Sequence, residues 1–144
     1  DLICRLEQEK CRIVITSITY MECLNGTKSD EEYEAVRSLR ESFEILEFGE
    51  IEAEYASKAW KNYKQAYDNR PPFRTRAGIN DDMKIMASAE VAGCSILYTL
   101  DDGFEKLLSK IEKPFVVKLV NIRRPHQIFP AAEQMDLPMT GDSL

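Results

Sequence analysis

Two pairs of adjacent aspartates, Asp81-Asp82 and Asp101-Asp102, stand at the two ends of a helical pattern and a short apolar strand, in the segment NDDMKIMASAEVAGCSILYTLDDGF. Either each pair belongs to a solvated turn, or the fold brings the two ends together to hold a cation. In parallel α/β sheets the ligand site lies at the carboxyl ends of the strands. Asp101 follows a strand that ends at Thr99, so we expect it at that edge. Asp82 is expected in the first turn of the preceding helix, where the helix dipole favours a carboxylate.

A third candidate acid, Glu22, stands in the otherwise uncharged segment from Ile13 to Gly26. An ionised carboxyl group is costly to bury unless it is paired or bound to a metal. Glu22 is therefore a candidate ligand, and the alternative is that it points to solvent. Carboxylate oxygens are the ligands that a hard divalent cation prefers, so the three acids together are candidate ligands of such a cation.

The first half of the chain contains elements that would position Glu22. A β-branched run, Arg12 to Ile15, predicts a strand, and a helix should follow it with a cap at Thr16 or Ser17 and an end at Gly26. Ser29 and Glu32 have the spacing of a capping box before a further helix, whose apolar positions run to Phe43. Apolar residues then recur every four positions, which predicts a helix whose stripe faces the interior or a partner. The stripe consists of Ile51, Tyr55, Ala59, Tyr63 and Tyr67.

The second half contains the elements that flank the aspartate pairs. The segment DNRPPFRTRAG predicts an exposed loop, after which Asn80 should cap a helix that ends at Gly93. We expect a strand over 95–99, a short helix over 103–111 and a strand over 115–122. Helices that alternate with short apolar strands predict an α/β fold with a parallel sheet.

The composition is that of one soluble globular domain, with 144 residues, 44% apolar residues and 31% charged residues. The cysteines Cys4, Cys11, Cys23 and Cys94 lack CxxC spacing and lie among apolar neighbours, so we expect free, core-type thiols in a reduced, cytoplasmic protein. The net charge of −6 argues against a broad nucleic-acid surface. A basic run from Lys58 to Arg76 is either a solvated helix face or a patch that contacts phosphates. Its candidate phosphate-binding residues are Arg70, Arg74 and Arg76.

Three short elements resemble the motifs of PIN domains. TYMECLNG is similar to their T-x-x-E-L-x-x-G element, NDDMKIMASA to D-x-x-I-x-A-x-A, and TLDDGF to T-x-D-x-D-F. The order and spacing also match, and the resemblance covers roughly residues 12–122. The residues in step are Glu22 in the first element, Asp82, Ile85, Ala87 and Ala89 in the second, and Thr99, Asp101 and Phe104 in the third.

The resemblance implies a three-layer α/β/α fold with a mainly parallel sheet, and a metal-dependent endoribonuclease. It implies that Glu22, Asp82 and Asp101 converge on one acidic pocket, bind Mg²⁺ or Mn²⁺ and are catalytic. Many bacterial PIN domains are toxins of the VapC type, which implies RNA as substrate, an antitoxin protein as a possible partner and a possible homodimer. We expect a PIN-like domain over residues 1–124 and a peripheral or disordered tail over 125–144.

Two departures from the family pattern leave alternatives open. The family's first Asp, on its first strand, has no counterpart before Glu22, and the chain opens at Asp1 directly into an apolar run. We therefore expect a first strand and its acid upstream. Gly103 stands where many members carry a further Asp. The alternatives are a catalytically degenerate PIN-like module that binds RNA or protein, and an unrelated nucleotide-binding α/β domain, although no GxGxxG or GxxxxGK[ST] stretch is present.

Overall fold

The computed structural model describes residues 2–66, 76–108 and 115–122. Helices and short strands alternate along these residues, as the sequence predicts. In chain order the elements are α1 (Leu2–Gln8), β1 (Val14–Thr16), α2 (Ser17–Asn25), α3 (Asp30–Arg37), α4 (Leu39–Ser42), β2 (Glu44–Leu46), α5 (Glu50–Ala66), α6 (Arg76–Val91), β3 (Ile96–Thr99), α7 (Asp102–Leu108) and β4 (Lys118–Asn121). The predicted tail over 125–144 lies outside these described residues.

Every strand pairing in the described residues is parallel. β1 pairs with β2, so that Ile15 lies opposite Ile45, and β3 pairs with β4, so that Leu97 lies opposite Leu119. The strands form two separate two-stranded sheets in this part of the chain. Because consecutive strands are parallel, helices must connect them, and the carboxyl ends of each pair lie at one edge.

The β3–β4 pair packs on one face against α6. The cross-strand partners Leu97 and Leu119 both contact the core cluster of α6. Side chains alternate along a strand, so Tyr98 points to the opposite face, where burial raises the pKa of its phenol. Short parallel strands with helices packed on them agree with the α/β/α fold that the family resemblance implies.

The predicted stripe of α5 is only partly correct. Ala59 and Tyr63 are buried and pack against α6 and α7, and Tyr55 is half-buried. Ile51 is 60% exposed and does not face the interior of the monomer, because it lies in the first turn of α5, beyond the end of the packed interface. Tyr67 lies outside the described residues.

The local signals at the starts of α2 and α3 are confirmed. The hydroxyl of Thr16 accepts a hydrogen bond from the Thr19 amide, and that of Ser29 accepts one from the Glu32 amide. The Glu32 carboxylate accepts from the amide of Lys28, one residue before the position that a capping box requires.

One boundary was predicted wrongly and one strand was not predicted. α6 begins at Arg76 rather than at Asn80, because Ile79 is completely buried against α5 and α7 and extends the helix. The helical pattern up to Phe43 is confirmed to within one residue, since α4 ends at Ser42, but the strand β2 that follows it was missed. β2 depends on its pairing with β1, which no local signal shows.

Only Cys94 makes the core-type contact that was predicted, because it packs against the buried cluster that includes Met86 and Ala89. All four are free, but Cys4, Cys11 and Cys23 are exposed. Cys94 is half-buried, and burial raises the pKa of its thiol. The three exposed cysteines lie near helix ends or on the outer faces of helices. Apolar residues next to them in the sequence therefore do not surround them in the folded protein. No helix in the described part of the chain is long and apolar enough to cross a membrane.

The buried contact between α5, α6 and α7 yields a stability prediction. Leu107→Ala should lower the free energy of unfolding by about 2–5 kcal/mol, because it leaves a cavity at a completely buried position. Ile51→Ala is the control and should change it by less than about 0.5 kcal/mol, as is usual for exposed sites. Urea denaturation of both variants measures the difference, and equal losses would contradict the described core.

An exposed ion pair yields a pH prediction. Two nitrogens of Arg12 donate to the Glu44 carboxylate at 2.7 and 3.0 Å, which joins β2 to the residues just before β1. The hydrogen bond from Arg12 lowers the pKa of Glu44. A lowered pKa in the folded state means that the stabilisation is present above the unfolded pKa of Glu44 and is lost as the pH falls through the lowered value.

Arg12→Gln should therefore lower the melting temperature slightly at pH 7, and the difference from the unmodified protein should shrink as the pH falls through the lowered pKa of Glu44. Arg37→Gln is the control, because the side chain of Arg37 pairs with Glu34 inside a single helix, α3. Thermal unfolding between pH 7 and pH 3 measures both. A difference for Arg12→Gln that persists undiminished at pH 3 would count against the ion pair as its cause.

Candidate active site

Glu22 is positioned by the turn from β1 into α2. Thr16, the last residue of β1, is buried, and its hydroxyl caps α2 by accepting from the Thr19 amide at 3.2 Å. Ile18 in the first turn of α2 packs against the α6 cluster. Glu22 follows Ile18 by four residues, so it lies on the same side of α2, one turn farther from the sheet. It is exposed.

Asp82 is positioned by α6. Ile85 and Met86 pack towards the sheet. Asp82 lies one helical turn before them and therefore on the same face of α6. It is 7% exposed and is the only charged side chain of the buried class among the described residues. Asp82 was expected in the first turn of its helix. It lies in the second turn, because α6 starts at Arg76, and the dipole argument does not apply at that depth.

The neighbouring acid, Asp81, has a different environment. Its carboxylate accepts from the Lys84 ammonium at 2.9 Å, and both side chains are partly exposed. Adjacent residues of a helix point about 100° apart. Asp81 is thus paired on the outer side of α6, whereas Asp82 is directed inward.

Asp101 is positioned by the turn from β3 into α7. Its amide donates to the hydroxyl of Thr99 at 3.0 Å, and its carboxylate accepts from the Gly103 amide at 2.7 Å. This second bond is the bond that an N-cap side chain makes. Asp101 is exposed at the carboxyl edge of β3, as the sequence predicts.

Asp102 turns towards β4. Its Oδ1 accepts a hydrogen bond of 2.6 Å from the side-chain amide, Nδ2, of Asn121. Asn121 is 1% exposed and lies opposite Thr99 in the parallel register. Sequence reasoning missed Asn121. The only signal was a polar residue at the end of an apolar strand, since its partner lies nineteen residues away.

The three predicted acids have donor chemistry that fits a divalent cation, because carboxylates are the preferred ligands of Mg²⁺ and Mn²⁺. Glu22 and Asp101 follow the carboxyl ends of β1 and β3, and Asp82 lies on the helix that packs against these strands. Within residues 2–66, 76–108 and 115–122, however, no group of three or more acidic, histidine or cysteine side chains could hold a metal ion. The structure therefore does not bring the three together as a closed ligand set. Their ligand roles stay predictions.

The predicted RNA contacts lie largely beyond this description. Arg70 and Arg74 are outside the described residues, and of Arg76 only the backbone, at the start of α6, is described. A groove of about 310 Å³ lies between α5 and α6, and its lining includes Phe48, Trp60 and Lys84. None of the three candidate acids lines it, so it is separate from the candidate active site.

The fold and its acidic edge define an α/β/α domain whose donor groups suit metal-assisted hydrolysis of phosphodiesters. The family model of the PIN domain matches residues 4–108, and the chain belongs to the PIN domain family. The matched region includes all three candidate acids. No curated protein matches the chain. PIN domains are typically nucleases that use divalent metals and bind nucleic acids, so membership supports a nuclease class.

The capping role of Asp101 yields a prediction about stability. Asp101→Asn should change the free energy of unfolding by less than about 0.5 kcal/mol, because the amide oxygen still accepts from Gly103. Asp101→Ala should lower it by about 1 kcal/mol, the usual cost of losing an N-cap. Thermal or urea unfolding measures both. Equal losses for the two variants would contradict a capping role.

Proposed function

We propose that this PIN domain is an endoribonuclease that hydrolyses RNA phosphodiester bonds with Mg²⁺ or Mn²⁺, held by Glu22, Asp82 and Asp101. The observation that carries the proposal is the buried carboxylate of Asp82. It lies one turn from the part of α6 that packs against the sheet, within the region that matches the family. A carboxylate withdrawn from water keeps its oxygens for protein or ligand partners rather than for solvation.

The proposed chemistry divides the work between the acids and the cation. When bound, a divalent ion supplies Lewis-acid stabilisation of charge and an activated water. Asp82 is held rigidly by the packing of α6, and Asp101 is held by its bond to Gly103. Glu22 lies on an exposed helix face and is free to adjust. Without a cation the carboxylates repel phosphate, so RNA binding at this site should itself depend on the metal.

The proposal includes one further parallel strand between β1 and β3. The guanidinium of Arg12 contacts the carbonyl oxygen of Ala92 at 3.5 Å, so the amino ends of β1 and β3 lie near each other. The two strands are not paired with each other in the described residues, and Ile15 and Leu97 near their centres are only half-buried. One further parallel strand between them would complete the sheet and end at the acidic edge. An experimental structure with β1 paired directly to β3 would contradict this.

The central test is RNA cleavage by the protein with Mg²⁺ or Mn²⁺, with EDTA, and after Asp82→Asn. Cleavage should require the cation, and Asp82→Asn should reduce it by more than about 100-fold, since even groups that only orient metal ligands contribute about 10–100-fold. Asp81→Asn is the matched control. It removes the same charge one residue away, from a carboxylate paired with Lys84 on the outer side of α6, and should retain most of the activity.

Cleavage that persists in EDTA, or that is equal in the two aspartate variants, would reject the metal-nuclease mechanism. Absence of cleavage from a protein that binds Mn²⁺ would favour the alternative, a catalytically degenerate module that binds RNA or protein. Two observations favour that alternative: the described acids form no closed ligand set, and Gly103 stands where many members carry an Asp.

A VapC-type role is a further part of the proposal, with a cytoplasmic toxin, an antitoxin partner and a homodimer. Met21 on α2 and Tyr33 on α3 expose apolar surface that such partners could cover. Two results would support the VapC-type role: expression of the protein arrests growth only when Asp82 is intact, and a co-expressed partner protein relieves the arrest. Light scattering of the purified protein tests the homodimer, and a monomer at all concentrations would reject that part.

A further inference from the structure

Asn121 has an unusual position for a polar side chain. It is the last residue of β4 and is 1% exposed, although an apolar side chain would be less costly to bury there. Its amide donates to Asp102 Oδ1 at 2.6 Å. It lies outside the region that matches the PIN domain, so family membership assigns it no role.

The turn that carries Asp101 is held by hydrogen bonds on both sides. On the strand side, the Thr99 hydroxyl accepts from the Asp101 amide. On the helix side, the Asp101 carboxylate accepts from the Gly103 backbone amide. The intervening residue, Asp102, accepts a hydrogen bond from the side-chain amide of Asn121. Thr99 and Asn121 lie opposite each other in the parallel register. The two side chains that bond to the turn therefore come from neighbouring positions at the ends of β3 and β4.

The anchor on Asp102 matters because of the residue that follows it. Gly103 lies in the first turn of α7 and has more backbone freedom than any other residue type, so this turn is loosely specified by its own sequence. A side-chain bond from a buried position in the neighbouring strand restricts that freedom. It also keeps the Asp102 carboxylate directed towards β4, away from the adjacent Asp101.

We propose that Asn121 is a positioning residue for the candidate metal centre. By holding Asp102 against β4 it fixes the first turn of α7, and with it the orientation of the Asp101 carboxylate. The inference rests on the proposed function, because it takes Asp101 to be a metal ligand. Asn121 itself touches neither cation nor RNA in this proposal and acts only through Asp102.

The test is the Mn²⁺ affinity of the folded protein, measured by the EPR signal of free Mn²⁺. Asn121→Leu keeps the branched shape and the number of side-chain heavy atoms and removes the donor, and it should weaken Mn²⁺ binding about 10–100-fold, the range for groups that orient metal ligands. Asp102→Ala should weaken binding to a similar degree. In the Asp102→Ala background, Asn121→Leu should add little, because the contact through which it acts is already gone.

Val120→Ala is the matched control for stability. Val120 is the preceding residue of β4 and is 2% exposed, so the variant should lower the free energy of unfolding while leaving Mn²⁺ affinity unchanged. A purely structural role of Asn121 would give that same result for Asn121→Leu. RNA cleavage is measured in parallel but does not decide the question.

Three outcomes would overturn the inference. If the unmodified protein binds Mn²⁺ and folded Asn121→Leu binds it equally well, the positioning role is rejected and the proposed function stands. If Asn121→Leu does not fold, the exposed Asp102→Ala variant decides, and unchanged affinity there rejects the role. If the unmodified protein binds no Mn²⁺, the proposed function fails and the positioning role fails with it.

Discussion

Helix α6 must be buried on two flanks at once, and much of the described structure depends on that constraint. Ile79 and Met83 pack against α5 and α7 on one flank. Met86 and Ala89 pack towards the strands on the other. A helix enclosed in this way needs small residues where its neighbours approach closely. Ala87, which is completely buried, fits that need.

The same constraint gives Asp82 its environment. A carboxylate on an enclosed helix cannot be solvated like one on a surface helix, and its partners must come from the protein or from a ligand. Its neighbour Asp81 lies about 100° around the helix and pairs with Lys84 in partial contact with water. Two acids adjacent in sequence are thus assigned different physical roles by the packing of one helix.

The sequence predicted those features that depend on neighbouring residues. The caps at Thr16 and Ser29 and the end of α6 near Gly93, which has a φ of +69°, are local events in which one side chain or one glycine satisfies its own helix end. The family resemblance, carried by short elements in order, is confirmed over residues 4–108. The features that were missed depend on distant residues. β2 exists because residue 45 lies beside Ile15, and the start of α6 is extended by the burial of Ile79.

The candidate site follows the same division. That Asp101 would lie at the edge of a strand could be inferred from the alternation of elements, and that Asp82 would share a face with Ile85 and Met86 could be inferred from helical spacing. The role of Asn121 could not be inferred, because its hydrogen-bond partner becomes its neighbour only when β4 pairs with β3. How closely the acids approach one another also depends on nonlocal packing, and no local pattern specifies it.

Capping a helix and binding a cation are compatible tasks for Asp101. An ionised carboxylate has two oxygens and about four acceptor sites, so a bond from the Gly103 amide leaves it capacity to accept other partners. That bond also orients the group before any ligand arrives, which lowers the entropy that binding must overcome. A local signal that reads as an ordinary helix start can therefore belong to a functional site. Charge at Asp101 can be removed while the cap is kept, which makes its two roles separable by experiment.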